Sequence, residues 1–376
     1  MTDEKLDFYS LDEIRSKTDL NGNKPSLYII SGDRSAGKTT SVLDYMIKHF
    51  LETGRKFGIL VRTQLELGGT GMIFNELLAR KPEYNVYGDI IEDTKGVQGV
   101  FRKLCFTTQD CYSEDWEEDG KIEKQYTHCG YVVAMSNQDR LKKYSPAFQD
   151  VDIWMFDEFQ IEKGKYLKNE VETILSIILS VGRGGGKAIR DIELYMLSNK
   201  VSLINPYFVT LGISKRLRDN THFMRGNGWI LEVVDKPDIR NAIQNNNLVQ
   251  AFSTTKYASW AIEGIYLNND KAFIKKPSGL NRYILSILYS GHKYGIYEYT
   301  NGLVYITSKA EDTFKTIVTI SPSEHNENTL MFAGNSNMWK SLKNAFTYGL
   351  MRFSDAEAKN MMLDVLGLYT SMFATK

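Results

Sequence analysis

Leu27-Tyr28-Ile29-Ile30-Ser31-Gly32-Asp33-Arg34-Ser35-Ala36-Gly37-Lys38-Thr39 is the stretch on which the reading of this chain depends. A short β-rich apolar run, bounded upstream by Asn21-Gly22-Asn23-Lys24-Pro25, reads as a buried strand. Gly32-x-x-x-x-Gly37-Lys38-Thr39 then matches the phosphate-binding loop pattern, and Thr40 to Phe50 follows with Val42, Tyr45, Met46 and His49 at helical spacing. A glycine loop between a strand and a helix turns backbone N–H groups toward a phosphate at the helix N-terminus, where the dipole favours negative charge. Residues Gly32, Asp33, Arg34, Ser35, Ala36, Gly37, Lys38, Thr39 and Thr40 are therefore the candidate ATP-binding set. Lys38 is expected to reach the β- and γ-phosphates, and Thr39 to ligate Mg²⁺.

Working outward, Phe57 to Val61, Ile153 to Phe156 and Ile192 to Leu197 read as further buried strands, with Glu170 to Val181 as an apolar-rich helix. Leu11 to Lys17 is a polar helix candidate, and Asp119-Gly120 a hairpin turn. Strands alternating with helices imply an α/β fold around a doubly wound parallel sheet. The third strand ends in Asp157-Glu158, so two carboxylates stand at the C-terminal edge of the sheet. Asp157 suits Mg²⁺ and Glu158 suits polarising an attacking water, which favours hydrolysis over kinase-like transfer. Arginines complete the chemistry, because a guanidinium binds two phosphoryl oxygens at once. Arg34, Arg62 and Arg183 are the candidates; Arg183 stands in Gly182-Arg183-Gly184-Gly185-Gly186 at a helix end, where the bland alternative is a surface loop. Ser198-Asn199, expected directly after the fourth strand, are either γ-phosphate sensors or a polar turn.

The back half changes character. Ser214 to Asn247 is rich in Arg, Asn and Asp, with two expected short helices and little strand pattern, which suits a linker. Three strands then follow at Arg282 to Tyr289, Tyr294 to Tyr299 and Leu303 to Thr307, joined by Ser290-Gly291-His292 and Asn301-Gly302. Helices around Met338 to Met351 and Asp355 to Met372 complete an α+β module. The expected division is 1–210, 211–255 and 256–376.

Composition sets the outer limits. With 376 residues the chain exceeds the roughly 250–300 at which one core stops growing. The balance of 46 Lys plus Arg against 46 Asp plus Glu excludes whole-surface attraction to nucleic acid, though not a local basic channel. Cys105, Cys111 and Cys129 are odd in number and irregularly spaced; with no C-x-x-C they read as reduced thiols, and His128-Cys129 as no zinc site. No stretch approaches the roughly 18 apolar residues of a bilayer span, so a soluble protein made in the cytoplasm, with no membrane partner, is expected.

Ile30-x-Gly32-x-Arg34-x-x-Gly37-Lys38, Phe156-Asp157-Glu158-Phe159, Asn169-Glu170-Val171, Leu197-Ser198-Asn199 and Asn205-Pro206-Tyr207-Phe208 together resemble the genome-packaging (DNA encapsidation) ATPases of small tailed phages, relatives of terminase large subunits. The resemblance extends through Tyr283-Ile284-Leu285-Ser286-Ile287 and Gly302-Leu303-Val304-Tyr305-Ile306. It implies an additional-strand P-loop NTPase that works as a homo-oligomeric ring, a pentamer, at the portal of a procapsid and pumps double-stranded DNA inward. It also implies that Arg183 is an arginine finger acting on a neighbour's ATP, and that Arg62 is a site arginine. Where such relatives carry a Lys linked to DNA gripping, this sequence has Thr63, Gln64 and Leu65, so Arg140, Lys142 and Lys143 are the substitute candidates, against an ordinary solvated face. The back module resembles an RNase H-like nuclease domain without its acids. Tyr283 to Tyr289 contains none, and Glu298 alone cannot hold two metal ions. That module is expected to dock on the portal or on a structural RNA. The rivals to a DNA translocase are a helicase and a non-motor ATP-switched assembly protein.

Overall fold

The computed structural model describes residues 7–108, 124–161, 166–167, 169–183, 190–201, 205–217, 221–251, 274–313, 315–332 and 337–372. Asp119-Gly120, Cys111 and the Gly184 to Gly186 run lie outside the described residues. The chain divides into two compact units, one of residues up to 159 with 172–199 and 222–250, the other of 160–171, 200–221 and 251 onward.

The first unit is mixed α/β, built on a large, mostly parallel sheet. Its strands are β1 (Leu27–Gly32), β2 (Lys56–Val61), β3 (Ile90–Val97), β4 (Phe101–Thr107), β5 (Tyr126–Ala134), β6 (Val151–Phe156), β7 (Glu193–Asn199), β8 (Phe223–Arg225) and β9 (Trp229–Val234). Among the described residues they lie in the order β3-β4-β5-β2-β6-β7-β1-β9-β8. From β5 to β9 every neighbouring pair is parallel, while β3, β4 and β8 extend the two edges antiparallel. The central strands are buried on both faces, which is why they read as unbroken apolar runs. In chain order the helices among the described residues as far as Gln244 are α1 (Asp12–Ser16), α2 (Lys38–Thr53), α3 (Met72–Arg80), α4 (Gln138–Tyr144), α5 (Glu170–Gly182), α6 (Pro206–Thr210), α7 (Ile213–Arg216) and α8 (Pro237–Gln244); α2 follows β1 and packs Val42, Leu43, Met46, Ile47 and Phe50 into the core. Tyr28 stacks on Tyr195 at 4.8 Å across the β1–β7 pair. Cys105 and Cys129 are buried free thiols, and His128 points its Nε2 at the Gly130 carbonyl, 2.9 Å away.

In the large sheet the folded chain departs from the sequence-based expectations. The stretch 214–247 is not poor in strands: β9 pairs in parallel with β1 along its whole length, from Leu27↔Trp229 to Gly32↔Val234. Its apolar residues, Trp229, Ile230, Leu231, Val233 and Val234, are buried. Their run is masked in sequence by the charged residues on both sides and by Glu232 within it. Ser198 and Asn199 do not follow the fourth strand but are its last two residues.

The second unit carries β10 (Asn281–Tyr289), β11 (His292–Tyr299), β12 (Val304–Thr307), β13 (Ile317–Thr319), β14 (Leu330–Met331) and β15 (Met351–Phe353), in the order β14-β13-β10-β11-β12-β15. The meander β10-β11-β12 is antiparallel, as its turn residues predict, and β13, β14 and β15 join in parallel. The first of the two helices at this end spans Asn337–Thr347 and does not reach Met351. Backbone bonds from Leu350 N–H to the Ala345 carbonyl and from Gly349 N–H to the Phe346 carbonyl close it, and Met351 opens a strand. The second, Ala356–Met372, is capped by the Asp355 carboxylate, which accepts from Ala358 N–H at 2.9 Å. Glu170 takes hydrogen bonds from the Tyr207 hydroxyl at 2.5 Å and Leu167 N–H at 2.8 Å, so two of the motifs quoted above meet in a structural contact.

Candidate functional site

The loop between β1 and α2 is shaped by close approach and by handedness. A side chain on Gly32 would place its first carbon 2.3 Å from the Val234 carbonyl oxygen, so the parallel β1–β9 pair admits only glycine there. Gly37 adopts φ +90°, a left-handed conformation that turns the chain into the first turn of α2. Asp33 is buried, and its carboxylate accepts from Lys236 N–H at 2.8 Å and from the Arg240 guanidinium. The loop is thus tied to helix α8 (Pro237–Gln244).

Lys38 is buried at the head of α2, its Nζ donating to the Asp33 carbonyl at 2.5 Å and to the Gly32 carbonyl at 3.3 Å. It also reaches Asn199 Oδ1 at 3.5 Å. Thr39 Oγ1 donates to Asp157 Oδ2 at 2.8 Å. Parallel strands make this convergence possible, because the C-terminal ends of β1, β6 and β7 open on one side of the sheet. Burial pushes the Asp157 carboxyl above the ordinary aspartate range, outweighing the hydrogen bonds from Thr39 and from Glu158 N–H and the charge of Lys38. Ser198 is buried with its hydroxyl 3.2 Å from that of Ser31.

A cavity of about 730 Å³ covers this convergence, within the size range of small-molecule sites at about 300–1,000 Å³. Ser35 to Ser41, Asp157, Glu158, Ser198 and Asn199 line it. Thr39 and Asp157 supply a hydroxyl and a carboxylate 2.8 Å apart at its wall. An all-oxygen pair of this kind suits Mg²⁺, with the remaining positions left to water and phosphate.

Glu158 is exposed on the cavity side and holds a left-handed backbone, φ +53°. A non-glycine residue there costs about 1–3 kcal/mol. Arg62 offsets that cost: its guanidinium donates to the Glu158 carbonyl at 2.8 Å and the Phe159 carbonyl at 2.5 Å, lying 4.8 Å above the Phe156 ring. Hydrogen bonds to a charged group contribute about 1.5–3 kcal/mol each. Arg62 lies outside the cavity lining, as does Arg34. The structure thus places the Arg62 guanidinium on the backbone of the turn that carries the acidic pair.

Arg183, exposed at the end of α5 (Glu170–Gly182), is also apart from the cavity. With Lys142, Ser145, Pro146, Gln149 and Ser180 it lines a separate hollow of about 280 Å³. Arg140, Lys142 and Lys143 are exposed on α4 (Gln138–Tyr144). The arginine-finger candidate and one of the DNA-contact candidates therefore share a surface.

A family model described as the Podovirus DNA encapsidation protein (Gp16) matches residues 121–370. The chain belongs to this family. The matched span contains Asp157, Glu158, Ser198 and Asn199 and begins downstream of the glycine loop. The chain is 24% identical over 344 residues to the DNA packaging protein of Bacillus phage phi29, covering 90% of this chain and 92% of that protein. With the DNA packaging protein of Bacillus phage B103 it shares 26% over 342 residues, 88% and 92% of the two chains. Among solved structures, the Phi-28 gp11 DNA packaging motor aligns over 96% of this chain and 97% of its own with a TM-score of 0.54 at 16% identity, a likeness of fold.

Three sets of contacts at the site were not legible in the sequence. Arg240 and Lys236 hold Asp33 from a segment read as linker; a charged residue just inside the glycine loop was the available signal that something must pair with it. The Arg62 contact with the Glu158 loop spans 96 residues of sequence and left no local trace. Phe8, Tyr9 and Ser10 line the cavity from a stretch to which the sequence assigns no role.

Proposed function

We propose that this chain is an ATP-driven double-stranded DNA translocase that packages a phage genome into a procapsid in the host cytoplasm, working as a homopentameric ring. The observation that carries the catalytic half is the 2.8 Å bond between Thr39 and Asp157, which brings the glycine loop and the acid-bearing strand to one cavity. Strand β7 separates the loop-bearing β1 from the acid-bearing β6, and β9 flanks β1 on the other side, an order that supports the additional-strand P-loop NTPase reading. Membership of the encapsidation family supports the packaging half.

In this reading the loop N–H groups and Lys38 bind the β- and γ-phosphates, and Thr39 and Asp157 would hold Mg²⁺, which would supply charge neutralisation for the phosphoryl group. Glu158 orients and polarises the attacking water. Its left-handed backbone is held by Arg62, and the residue lines the cavity. Asn199, within reach of Lys38 and continuous with Ser198 on β7, reports the γ-phosphate to the rest of the sheet. Arg183 stands outside its own subunit's cavity, which favours its acting on the neighbouring subunit's ATP. Arg140, Lys142 and Lys143 contact DNA.

The second unit is read as an RNase H-like module without nuclease activity, docking on the portal or on a structural RNA. The sheet order β14-β13-β10-β11-β12, with an antiparallel meander flanked by parallel strands, supports the fold reading. Glu298 is paired with Arg282 at 2.5 Å and with the Ser341 hydroxyl, which supports the loss of activity. Metal-dependent plasmid cleavage abolished by Glu298→Ala overturns that part.

The test of the whole is steady-state ATP hydrolysis across protein concentration with no DNA, single-stranded DNA and double-stranded DNA. We expect stimulation selective for double strands, rising steeply with protein, and a loss of about 10³-fold or more in Arg183→Ala, the scale of an arginine finger. Single-strand stimulation indicates a helicase. A slow rate blind to DNA and to Arg183 indicates an ATP-switched assembly protein.

A further inference from the structure

The 730 Å³ cavity extends beyond the groups that phosphates require. Lys38, Thr39, Asp157 and Asn199 gather at one part of it, where the triphosphate and Mg²⁺ belong in the reading above. Elsewhere its wall includes Ser41 and Asp44, farther along α2, Arg80 and Lys81 at the end of the next helix, and Phe8 and Ser10 from the N-terminal segment. This segment is a strap fixed to the fold around Phe8. Asp7 pairs with Lys236 at 2.7 Å, and Tyr9 N–H donates to the Ala36 carbonyl at 2.8 Å. The buried Tyr9 ring sends its hydroxyl to Glu232 on β9 at 2.8 Å, and Leu11 N–H donates to Ser41 Oγ at 3.0 Å. Phe8 is held between these anchors yet is 54% exposed. Its side chain lies over the loop: a carbon built on Gly37 would sit 3.2 Å from the Phe8 Cβ.

We propose that Phe8 is the stacking platform for the nucleobase of the bound nucleoside triphosphate, with the 7–11 strap holding the ring beside the glycine loop and Ser10, Ser41 and Asp44 offering polar groups around the ribose and base. A single exposed aromatic needs no explanation on a protein surface. An aromatic that lines a cavity, abuts the glycine loop and is carried on a backbone pinned on both sides is preorganised, so a flat ligand group meets a surface already in place. Every base presents a π-face, so stacking holds the nucleotide without selecting strongly among bases.

The proposal rests on the nucleotide reading of the cavity, and the experiment separates the two. Titration calorimetry of the full chain with ADP and, separately, with inorganic tripolyphosphate, both with Mg²⁺, reports base-dependent and phosphate-only binding. Phe8→Ala is expected to weaken ADP by about 5- to 100-fold, the scale of losing one base–aromatic stack, and to leave tripolyphosphate within twofold. Phe8→Trp is expected to restore ADP binding, and its indole fluorescence to be quenched by ADP but not by tripolyphosphate. In turnover, Phe8→Ala raises KM for ATP and leaves kcat at saturation within twofold. Unchanged ADP affinity in Phe8→Ala overturns the platform while the ATPase reading stands. Equal weakening of ADP and tripolyphosphate overturns it too, since Phe8 then acts only by supporting the loop. If the wild-type chain binds neither ligand, the nucleotide reading fails and the platform falls with it.

Discussion

The two units each place a glutamate on or just beyond a sheet strand, and they treat it in opposite ways. Glu158 stands one residue beyond Asp157 at the C-terminal end of β6, exposed toward a cavity, while Arg62 binds its backbone carbonyl. Glu298 sits within β11, its carboxylate taken by Arg282 and Ser341. Burial would raise the Glu298 carboxyl, but the hydrogen bonds from Ser341 and Arg282 prevail and hold it below the ordinary glutamate range. In the parallel sheet strand ends converge, so an acid there meets groups from other strands. In the antiparallel meander a carboxylate faces its cross-strand neighbour, and Arg282 is directly opposite Glu298. The same residue type thus lines a cavity in one unit and is paired across neighbouring strands in the other.

Substitutions at these residues test the contrast. The largest effect is expected from Glu158→Gln, which keeps shape and removes the base: kcat for ATP should fall about 10²- to 10⁴-fold with nucleotide affinity retained. Hydrolysis that survives this change would remove Glu158 from the reaction. Next, Arg62→Ala should lower kcat by about 10²-fold through misplacement of Glu158, with KM little changed. A higher KM at unaltered kcat would instead return Arg62 to direct phosphate contact.

A third, graded effect concerns pH. Because burial raises the Asp157 carboxyl, protons compete with Mg²⁺ from a higher pH than at an ordinary aspartate of about 3.9. Mg²⁺-dependent ADP binding should weaken as pH falls, approaching tenfold per unit below the raised value, and Asp157→Asn should remove that slope. Calorimetry across pH with and without Mg²⁺ checks the sign. The smallest effect belongs to Glu298→Gln. Its pair with the largely exposed Arg282 should cost no more than about 1 kcal/mol in denaturant unfolding and leave ATP hydrolysis unaltered. A loss of hydrolysis there would mean the second unit's glutamate is not merely a surface partner.

Much of the site was legible because its elements are local. Glycine spacing, an apolar run ending in Asp157-Glu158 and the Asn301-Gly302 turn each follow from a few consecutive residues, and all stand where expected. The outer strands of the first sheet were harder. Ile90–Val97 contains Glu92, Asp93 and Lys95, a pattern of a half-solvated edge rather than of a core strand.

What the sequence alone determined is the loop, its helix, the acid pair, the meander and the family they resemble, because backbone preference and hydrophobic period act over a few residues. The tertiary structure alone decided which strand flanks β1, what pairs with Asp33, where Arg62 points and what lies over Gly37. Those contacts join residues from 29 apart, for Phe8 and Gly37, to 207 apart, for Asp33 and Arg240. No local pattern encodes them: a strand records that it needs a neighbour and a buried charge that it needs a counter-charge, but only the folded chain selects which one.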